Sequence, residues 1–263
     1  METTLTEPDS FADIARHYDG IMEHVDYDRW FRVVTELAKL LPSGFRHLDA
    51  ACGTGTLLKM LRRAGWDSLG MDLSHAMLRA AREDPHAPPA ATADLRALPF
   101  RGCFDYVTCL FDSMNFLTEI GDIRRALEAF HEALTPGGIL YFDVVTERMV
   151  LDYYEGETWV ESNGKFTTTW ENRYDWKTRV ITCDIRINTG ASCALVERIY
   201  PRAQLERAVT DAGFGLLAVR DAHTWKAPNK KTVRIDFVAT KGNPRPLRKS
   251  MRAIGATLRE RGL

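Results

Sequence analysis

The stretch that decides the fold is His47-Leu48-Asp49-Ala50-Ala51-Cys52-Gly53-Thr54-Gly55-Thr56, where an apolar strand runs into a glycine turn. Gly53 and Gly55 carry no side chain and can adopt φ > 0, so the backbone can turn sharply and approach a ligand closely. A helix that begins at Thr56 directs its unpaired N–H groups toward the same space. The pattern indicates either a nucleotide-type binding loop or an ordinary strand-to-helix turn.

The chain around this loop alternates between strand-like and helix-like stretches, which is typical of a parallel sheet covered by helices on both faces. The strands are predicted at 46–51, 67–71, 91–93, 104–110 and 139–144, with helices at 56–64 and 122–134. A helix at 201–212 and two mutually antiparallel strands at 215–223 and 231–239 follow. We therefore predict an α/β fold, namely a Rossmann-like open sheet of about seven mostly parallel strands.

Two segments add to this sheet. The spacing of apolar residues in Ser10–Asp19 and in Asp26–Leu41 predicts two helices before the first strand, which we expect to form a lid. Between Thr158 and Tyr200, β-branched and aromatic residues alternate with polar ones and are separated by turns that contain Asn and Gly. This second pattern predicts an antiparallel β insertion after strand five.

Composition and charge exclude several classes of protein. The 263 residues are 45% hydrophobic and 27% charged, which is typical of a globular protein. The formal net charge of -1 argues against a general nucleic-acid binder, which needs an excess of Lys and Arg. From Lys241 onward the chain is locally basic. That segment indicates either a solvated terminal helix, which we favour, or a surface for an anionic partner such as RNA.

The cysteines and the apolar runs bear on location. The chain has 5 cysteines, an odd number without a C-x-x-C pair, so neither a disulfide framework nor a metal site such as zinc is indicated. No run of about 18 apolar residues occurs, and Met1–Ser10 lacks the apolar core of a signal peptide. We therefore expect a cytoplasmic protein that is neither secreted nor membrane-spanning.

The residues that follow the loop narrow the choice of ligand. A dinucleotide fingerprint places a third glycine where this chain has Leu58, and a P-loop needs a lysine that the loop lacks. Asp72, at the end of the second strand, can accept hydrogen bonds from both hydroxyls of a ribose. The combination favours a nucleoside without phosphates. The alternative is that Asp72 caps the helix that begins at Ser74 or His75.

Four segments in matching order resemble the class I S-adenosylmethionine-dependent methyltransferases. These segments are Asp49–Gly55, Gly70–Ser74, Ala93–Leu95 and Leu134–Gly138, and the resemblance spans about Phe11 to Val144. It implies that the cofactor is S-adenosylmethionine.

The resemblance also implies a role for individual residues. Asp49 and the glycine loop would hold the methionine part of the cofactor, and Asp72 would hold the ribose. Asp94 would meet the adenine amino group, with Leu95 or Met77 packed on the ring. The other cofactor contacts that the resemblance implies are Ala50, Gly53, Gly55, Leu73, Leu110 and Phe111.

Within this family, the chain is similar to small-molecule N-methyltransferases of the glycine or amino-sugar type. The similarity rests on Tyr18-Asp19-x-x-Met22, Val25-Asp26-Tyr27-x-x-Trp30, residues 111–115 and the β insertion. It implies that Tyr18, Tyr27 and Trp30 fold over the cofactor and hold its carboxylate and methyl end. The alternative is plain packing of an N-terminal helix pair.

Methyl transfer from a sulfonium is an in-line displacement, so a strong base is optional. Asp112 and Asn115 follow strand four at the carboxyl edge of the sheet, where ligands bind in open α/β folds. On the insertion, Tyr174 shares a strand face with Trp170, and this face either lines the site or forms the core of the small sheet. We name five catalytic candidates: Tyr18, Asp112, Asn115, Tyr174 and His223.

The sequence thus predicts a cytoplasmic methyltransferase, monomer or homodimer, that acts on a small molecule, with an amine preferred over a hydroxyl. Two alternatives stay open: an RNA methyltransferase that uses the basic tail, and aminocarboxypropyl transfer or cyclisation that releases methylthioadenosine. The predicted parts are N-terminal helices over the cofactor site (1–44), a cofactor-binding core (45–155), a substrate-side β insertion (156–200), the rest of the core (201–242) and a basic C-terminal helix (243–263).

Overall fold

The computed structural model describes residues 9–154 and 158–261. The strands of the described residues form two sheets and are β1 Arg46–Ala50, β2 Asp67–Asp72, β3 Ala90–Thr92, β4 Phe104–Cys109, β5 Leu134–Val145, β6 Thr158–Ser162, β7 Thr167–Asp175, β8 Val180–Ile187, β9 Ser192–Arg198, β10 Gly215–Asp221 and β11 Arg234–Thr240. The α-helices are α1 Tyr18–Ile21, α2 Tyr27–Leu37, α3 Thr56–Arg63, α4 His75–Ala81, α5 Ile120–Ala133, the single turn α6 Glu147–Met149, α7 Arg202–Asp211 and α8 Arg248–Glu260.

The main sheet has seven strands in the order β10-β11-β5-β4-β1-β2-β3. The five strands from β3 to β5 pair in parallel, whereas β11 runs antiparallel to both β5 and β10. Helices α5 and α7 pack on one face through residues such as Leu127 and Leu205, and α2, α3 and α8 pack on the other face. The predicted Rossmann-like α/β fold is confirmed, and the carboxyl ends of β1, β2, β4 and β5 meet at one edge.

The inserted sheet follows β5, as predicted, and has the order β6-β7-β8-β9 with antiparallel neighbours throughout. We predicted three of these strands and missed β6. The predicted boundary between 155 and 156 lies outside the described residues. One face of the sheet carries the ion pairs Glu171–Arg186 and Arg173–Asp184. The other face is apolar and packs against the N-terminal segment.

The N-terminal segment differs from its prediction. Instead of a helix over Ser10–Asp19, the chain makes tight turns, such as Ile14 N to Phe11 O at 3.2 Å, and only the single turn α1 is helical. Asp9 explains the difference, because its carboxylate accepts hydrogen bonds from Ser74 Oγ and from Ala76 N at the start of α4. A contact distant in sequence therefore overrides the local helical spacing.

The basic C-terminal segment forms α8, which packs into the core. Met251, Ile254 and Leu258 are buried in the cluster that contains α2, and Arg261 pairs with Glu36 of α2 at 3.1 Å. One face of α8 thus belongs to the core, and its other face carries the exposed basic side chains. Within 9–154 and 158–261, no helix combines the length and the apolar character needed to cross a membrane.

Gly70 of β2 determines how closely the glycine loop lies on the sheet. A Cβ atom on Gly70 would lie 2.6 Å from Leu58 Cδ2 and 2.7 Å from Cys52 Sγ. We predict that Gly70→Ala lowers the free energy of unfolding by about 1 to 3 kcal/mol, as overpacking does. Gly121→Ala is the matched control, because a Cβ there has nothing within 4 Å. Equal thermal unfolding temperatures for both variants would contradict this prediction.

Candidate functional site

The glycine loop leaves β1 through three left-handed residues. Ala51, Gly53 and Gly55 have φ of 62°, 56° and 77°, and the turn closes with a hydrogen bond from Gly55 N to Cys52 O at 2.9 Å. The left-handed conformation is strained for Ala51, which is the kind of cost that functional sites retain. Gly55 is the N-cap of α3 and no side chain caps this helix. The first N–H groups of α3 are therefore available to a ligand.

Asp49 lies at the end of a buried hydrogen-bond chain. Thr108 Oγ1 donates to Asp49 Oδ1 at 2.7 Å and is itself 2.9 Å from His47 Nε2. His47 Nδ1 lies 3.0 Å from Ser68 Oγ. Burial raises the pKa of Asp49 to about 7, although the Thr108 hydrogen bond opposes this rise and the charge of Asp72 adds to it. Asp49 is thus a carboxylate that a nearby cation would stabilise.

Asp72 connects the glycine loop to the start of α4. Its Oδ2 accepts from Gly53 N at 2.7 Å and its Oδ1 accepts from Ser74 N at 2.8 Å. Ser74, rather than Asp72, is the N-cap of α4, since its hydroxyl accepts from Met77 N. Burial raises the pKa of Asp72, and the two backbone donors lower it. Each carboxylate oxygen keeps a lone pair that a ribose hydroxyl can use.

The N-terminal segment covers the loop. Thr54 Oγ1 donates to Asp19, and Tyr18 Cε1 lies 4.0 Å from the position of a Cβ on Gly53. Burial, followed by the negative charges of neighbours that include Asp112 and Asp72, raises the pKa of Tyr18. The Tyr18 hydroxyl is therefore within electrostatic range of both carboxylates. The structure places Tyr18 beside the loop.

Helix α2 covers the neighbouring strand end. The rings of Tyr27 and Trp30 lie 5.2 Å and 4.9 Å from the ring of Phe111, just after β4. Burial raises the pKa of Tyr27 to about 12, and nearby Asp19 contributes to the rise. Tyr27, Trp30 and Phe111, each of which was predicted to contact the cofactor, thus form one aromatic cluster.

Phe111 and Asp112 form a strained turn at the end of β4, with φ of 58° and 55°. Asp143, a fully buried residue of β5, supports this turn because its Oδ2 accepts from Asp112 N at 3.1 Å. Arg234 pairs with the same Asp143 carboxylate and reaches Asp112 Oδ1 at 3.3 Å. Its guanidinium also lies over the Trp30 ring at 5.7 Å, which joins α2 to the turn.

Negative charge is in excess around Arg234. Glu197 of β9 is close enough to Asp112, Arg234 and Asp143 for their charges to affect it. Burial raises the pKa of Glu197 well above its usual value, and Asp112 raises it further. Burial also raises the pKa of Asp143, although Arg234 lowers it. Asp112, Asp143 and Glu197 thus lie around one guanidinium, and the raised pKa values of Asp143 and Glu197 reflect both burial and the excess of negative charge.

Four of the predicted cofactor contacts, Leu73, Met77, Asp94 and Leu95, differ in availability. Leu73 is 47% exposed, whereas Met77 and Leu95 are buried beneath their neighbours. The Asp94 carboxylate accepts hydrogen bonds from Nε and Nη2 of the Arg96 side chain, with the Nε–H shared between both oxygens, and one from the Arg96 backbone N. Burial opposes the effect, yet these hydrogen bonds hold the pKa of Asp94 below its usual value. Leu73 is the apolar side chain of this group with the most open surface.

Two other predicted contacts are confined to the backbone. The side chains of Ala50 and Leu110 are buried in the two faces of the core, so only their main-chain groups can reach a ligand.

Two catalytic candidates, Asn115 and Tyr174, have other partners. Asn115 is fully buried. Its side-chain Nδ2 donates to Arg198 O at 2.9 Å, and its Oδ1 accepts from Val145 N at 3.0 Å. The Tyr174 hydroxyl donates to Glu147 at 2.9 Å. His223 lies largely at the surface, and partial desolvation of its ring followed by the positive charge of nearby Arg29 lowers its pKa. Tyr18 is close enough to Asp112 for the Asp112 charge to act on it, whereas Asn115 and Tyr174 make structural contacts.

Sequence reasoning missed Asp143, Arg234 and Glu197. Asp143 interrupts the apolar run Ile139–Val145, and a lone carboxylate inside a buried strand is a signal that could have identified it. Arg234 and Glu197 carry no such signal, because charged residues are common at strand ends.

These features fit S-adenosylmethionine. Asp49 is a buried acid that an α-ammonium group would stabilise, Asp72 keeps acceptors for a ribose, and Leu73 offers apolar surface beside it. The glycine loop lacks Cβ atoms where the backbone must approach the ligand.

Comparison with known proteins gives the same result. Residues 48–138 match the family described as "Methyltransferase domain". The chain is 26% identical over 242 residues to the putative methyltransferase YqeM of Bacillus subtilis (strain 168), covering 88% of this chain and 97% of the relative. It is 27% identical to a dTDP-3-amino-3,6-dideoxy-alpha-D-glucopyranose N,N-dimethyltransferase of Streptomyces fradiae, covering 80% of this chain and 87% of the relative.

The fold also matches a solved structure. An S-adenosylmethionine-dependent methyltransferase from Clostridium acetobutylicum ATCC 824 superposes with a TM-score of 0.76 at 24% identity, covering 88% of this chain and 98% of that chain. Residues 48–138 are thus a methyltransferase domain, and the chain is an S-adenosylmethionine-dependent methyltransferase. Its sequence and fold resemble those of the class I family.

The raised pKa of Asp49 yields a prediction about stability and binding. An acid whose pKa rises on folding favours the folded state at low pH, and this contribution is lost as the pH rises through about 7. We predict that Asp49→Asn raises the thermal unfolding temperature of the ligand-free protein by a few degrees at pH 8, and by less at pH 5.

The same variant should no longer gain stability from S-adenosylhomocysteine, which stabilises the wild type through binding. Thermal unfolding at both pH values, with and without this ligand, provides the measurement. Full stabilisation of Asp49→Asn by the ligand would contradict the role of Asp49.

Proposed function

We propose that this enzyme transfers the methyl group to the nitrogen of a small-molecule amine. The observation that carries the proposal is the excess of carboxyl groups around Arg234, which comprise Asp112, Asp143 and Glu197. A protonated amine supplies the positive charge that this cluster lacks, whereas a neutral hydroxyl compound does not.

The location of the cluster supports the proposal. Asp112 follows β4 at the carboxyl edge of the sheet, and its charge reaches Tyr18, which lies over the glycine loop. Glu197 comes from the insertion, so the cluster spans the boundary between the core and the inserted sheet. An amine bound there would have the cofactor loop on one side and the insertion on the other.

The chemistry assigns a task to each group. Bound S-adenosylmethionine supplies the electrophilic methyl group. Arg234 fixes Asp112 through Oδ1, and no described residue donates to Asp112 Oδ2. That oxygen can hold the ammonium and accept the proton that the amine must lose before it attacks. Tyr18, Tyr27 and Trp30 exclude water from the reacting groups, and Tyr18 stays a neutral phenol because its pKa is raised.

The amino-sugar relative supports an amine acceptor, because its name describes dimethylation of an amino group. The RNA alternative has less support, since α8 packs one face into the core and pairs Arg261 with Glu36. Aminocarboxypropyl transfer or cyclisation, which releases methylthioadenosine, is the other alternative, and identifying the product of the cofactor tests it.

The proposal keeps the assignments made from the sequence. Asp49, Gly53 and Gly55 hold the methionine part, and Asp72 holds the ribose. Asp94 meets the adenine amino group, with Leu95 or Met77 packed on the ring, and Leu73 is a further cofactor contact. Residues 1–44 cover the cofactor, 45–155 and 201–242 form the core, 156–200 form the substrate side, and 243–263 contain the terminal helix. The enzyme acts in the cytoplasm as a monomer or homodimer.

The acceptor class is tested with purified protein, S-adenosylmethionine and matched pairs of small molecules, such as glucosamine with glucose and glycine with glycolate. We predict that amines of this panel yield S-adenosylhomocysteine and an N-methyl product, measured by mass spectrometry. Turnover of the hydroxyl members alone, or release of methylthioadenosine, would overturn the proposal.

The role of Asp112 is tested by Asp112→Asn, which keeps the shape and removes the charge. We predict that kcat/KM for an amine falls by about a hundredfold, the usual size of a general-base effect. Affinity for S-adenosylhomocysteine should change by no more than a few fold. Asp211→Asn, an exposed position at the end of α7, is the control. Equal kcat/KM for Asp112→Asn and the control would remove Asp112 from the reaction.

A further inference from the structure

The buried chain that ends on Asp49 has a single consistent direction. The Thr108 hydroxyl has one proton, which it donates to Asp49 Oδ1 at 2.7 Å. Its oxygen must therefore accept from His47 Nε2, 2.9 Å away. His47 then carries its proton on Nε2, and its Nδ1 accepts from Ser68 Oγ at 3.0 Å.

The register of the sheet builds this chain. In the main sheet, His47 of β1 lies opposite Ser68 of β2, and Asp49 lies opposite Thr108 of β4. His47 and Asp49 are two residues apart, so their side chains share one face of the sheet. All four residues are at most 4% exposed. Water therefore does not compete for these hydrogen bonds.

The His47 ring is held on its other sides by aromatic residues. The rings of Trp66 and Tyr106 each lie 5.4 Å from it, and burial lowers its pKa to about 3. The ring is therefore neutral at physiological pH and can keep one proton on one nitrogen. Hydrogen bonds in such a chain polarise one another and strengthen the last donor.

We propose that His47 is a positioning residue for the cofactor site: acting through Thr108, it holds the Asp49 carboxylate as an acceptor turned toward the cofactor's ammonium group. This inference rests on the assignment of Asp49 made under the proposed function. It adds that the strength of cofactor binding depends on a histidine that touches no ligand.

A double-mutant cycle tests the inference, with the affinity for S-adenosylhomocysteine measured by isothermal titration calorimetry at pH 7.5. We predict that His47→Leu and Thr108→Val each weaken binding about tenfold, since each removes support from a charged acceptor. The double variant should bind no more weakly than Thr108→Val alone, because His47 acts only through Thr108. If the affinity of the double variant falls by the product of the two single losses, the two residues act independently and the proposal is overturned.

Two further variants separate the role in positioning from a role in packing. His47→Gln places an amide donor near the position of Nε2 and should restore affinity to within about threefold of wild type, whereas His47→Asn places its amide near Nδ1 and should not. Equal affinity of the two variants would count against the proposal. Asp49→Asn separates the role of Asp49 from that of His47. If this variant binds S-adenosylhomocysteine as tightly as the wild type does, the cofactor role of Asp49 is wrong, whatever the His47 variants show.

The tautomer provides a test that needs no stable variant. Nitrogen-15 NMR of the labelled wild-type protein at pH 7.5 should show a neutral His47 ring protonated on Nε2, its signals identified by their loss in His47→Gln or, if that variant does not fold, by contacts to Trp66. A ring protonated on Nδ1, or on both nitrogens, would refute the direction of the chain.

Discussion

The burial of carboxylates at one edge of the sheet is the constraint on which the site depends. A carboxylate removed from water is stable only with donors or cations around it. The chain meets this need in three ways: Asp72 uses two backbone N–H groups, Asp49 uses the hydroxyl of Thr108, and Asp143 uses Arg234. The pKa values of all three acids stay raised, which means that compensation within the protein is partial. Each acid therefore favours a ligand that brings donors or positive charge.

This incomplete compensation distinguishes a binding edge from an ordinary buried ion pair. Asp94 shows the contrast, since Arg96 surrounds its carboxylate and its pKa is lowered. Asp49, Asp72 and Asp143, whose pKa values are raised, lie at or near the carboxyl ends of β1, β2 and β5. The cofactor and the proposed amine are both cationic, so they suit the same edge.

The sequence was enough to predict the parallel core, the insertion and the two acids of the glycine-loop region, because local signals carry them. Alternating apolar strands and the spacing of Gly53, Gly55 and Asp72 need no tertiary information. Arg234 and Asp143 could not be found in this way, since they are 91 residues apart and meet only through the antiparallel pairing of β5 with β11. The helix predicted over Ser10–Asp19 was wrong for a similar reason. Asp9 attaches this segment to α4, and that contact decides its conformation.

The N-terminal segment touches both sides of the site at once. Asp19 binds the glycine loop through Thr54, while Ile14 and Ile21 pack on Ile185 and Ile187 of the inserted sheet. Displacing this segment therefore disturbs the glycine loop and the inserted sheet together. In the proposed reaction, spent cofactor and methylated product would leave past the same short stretch of chain.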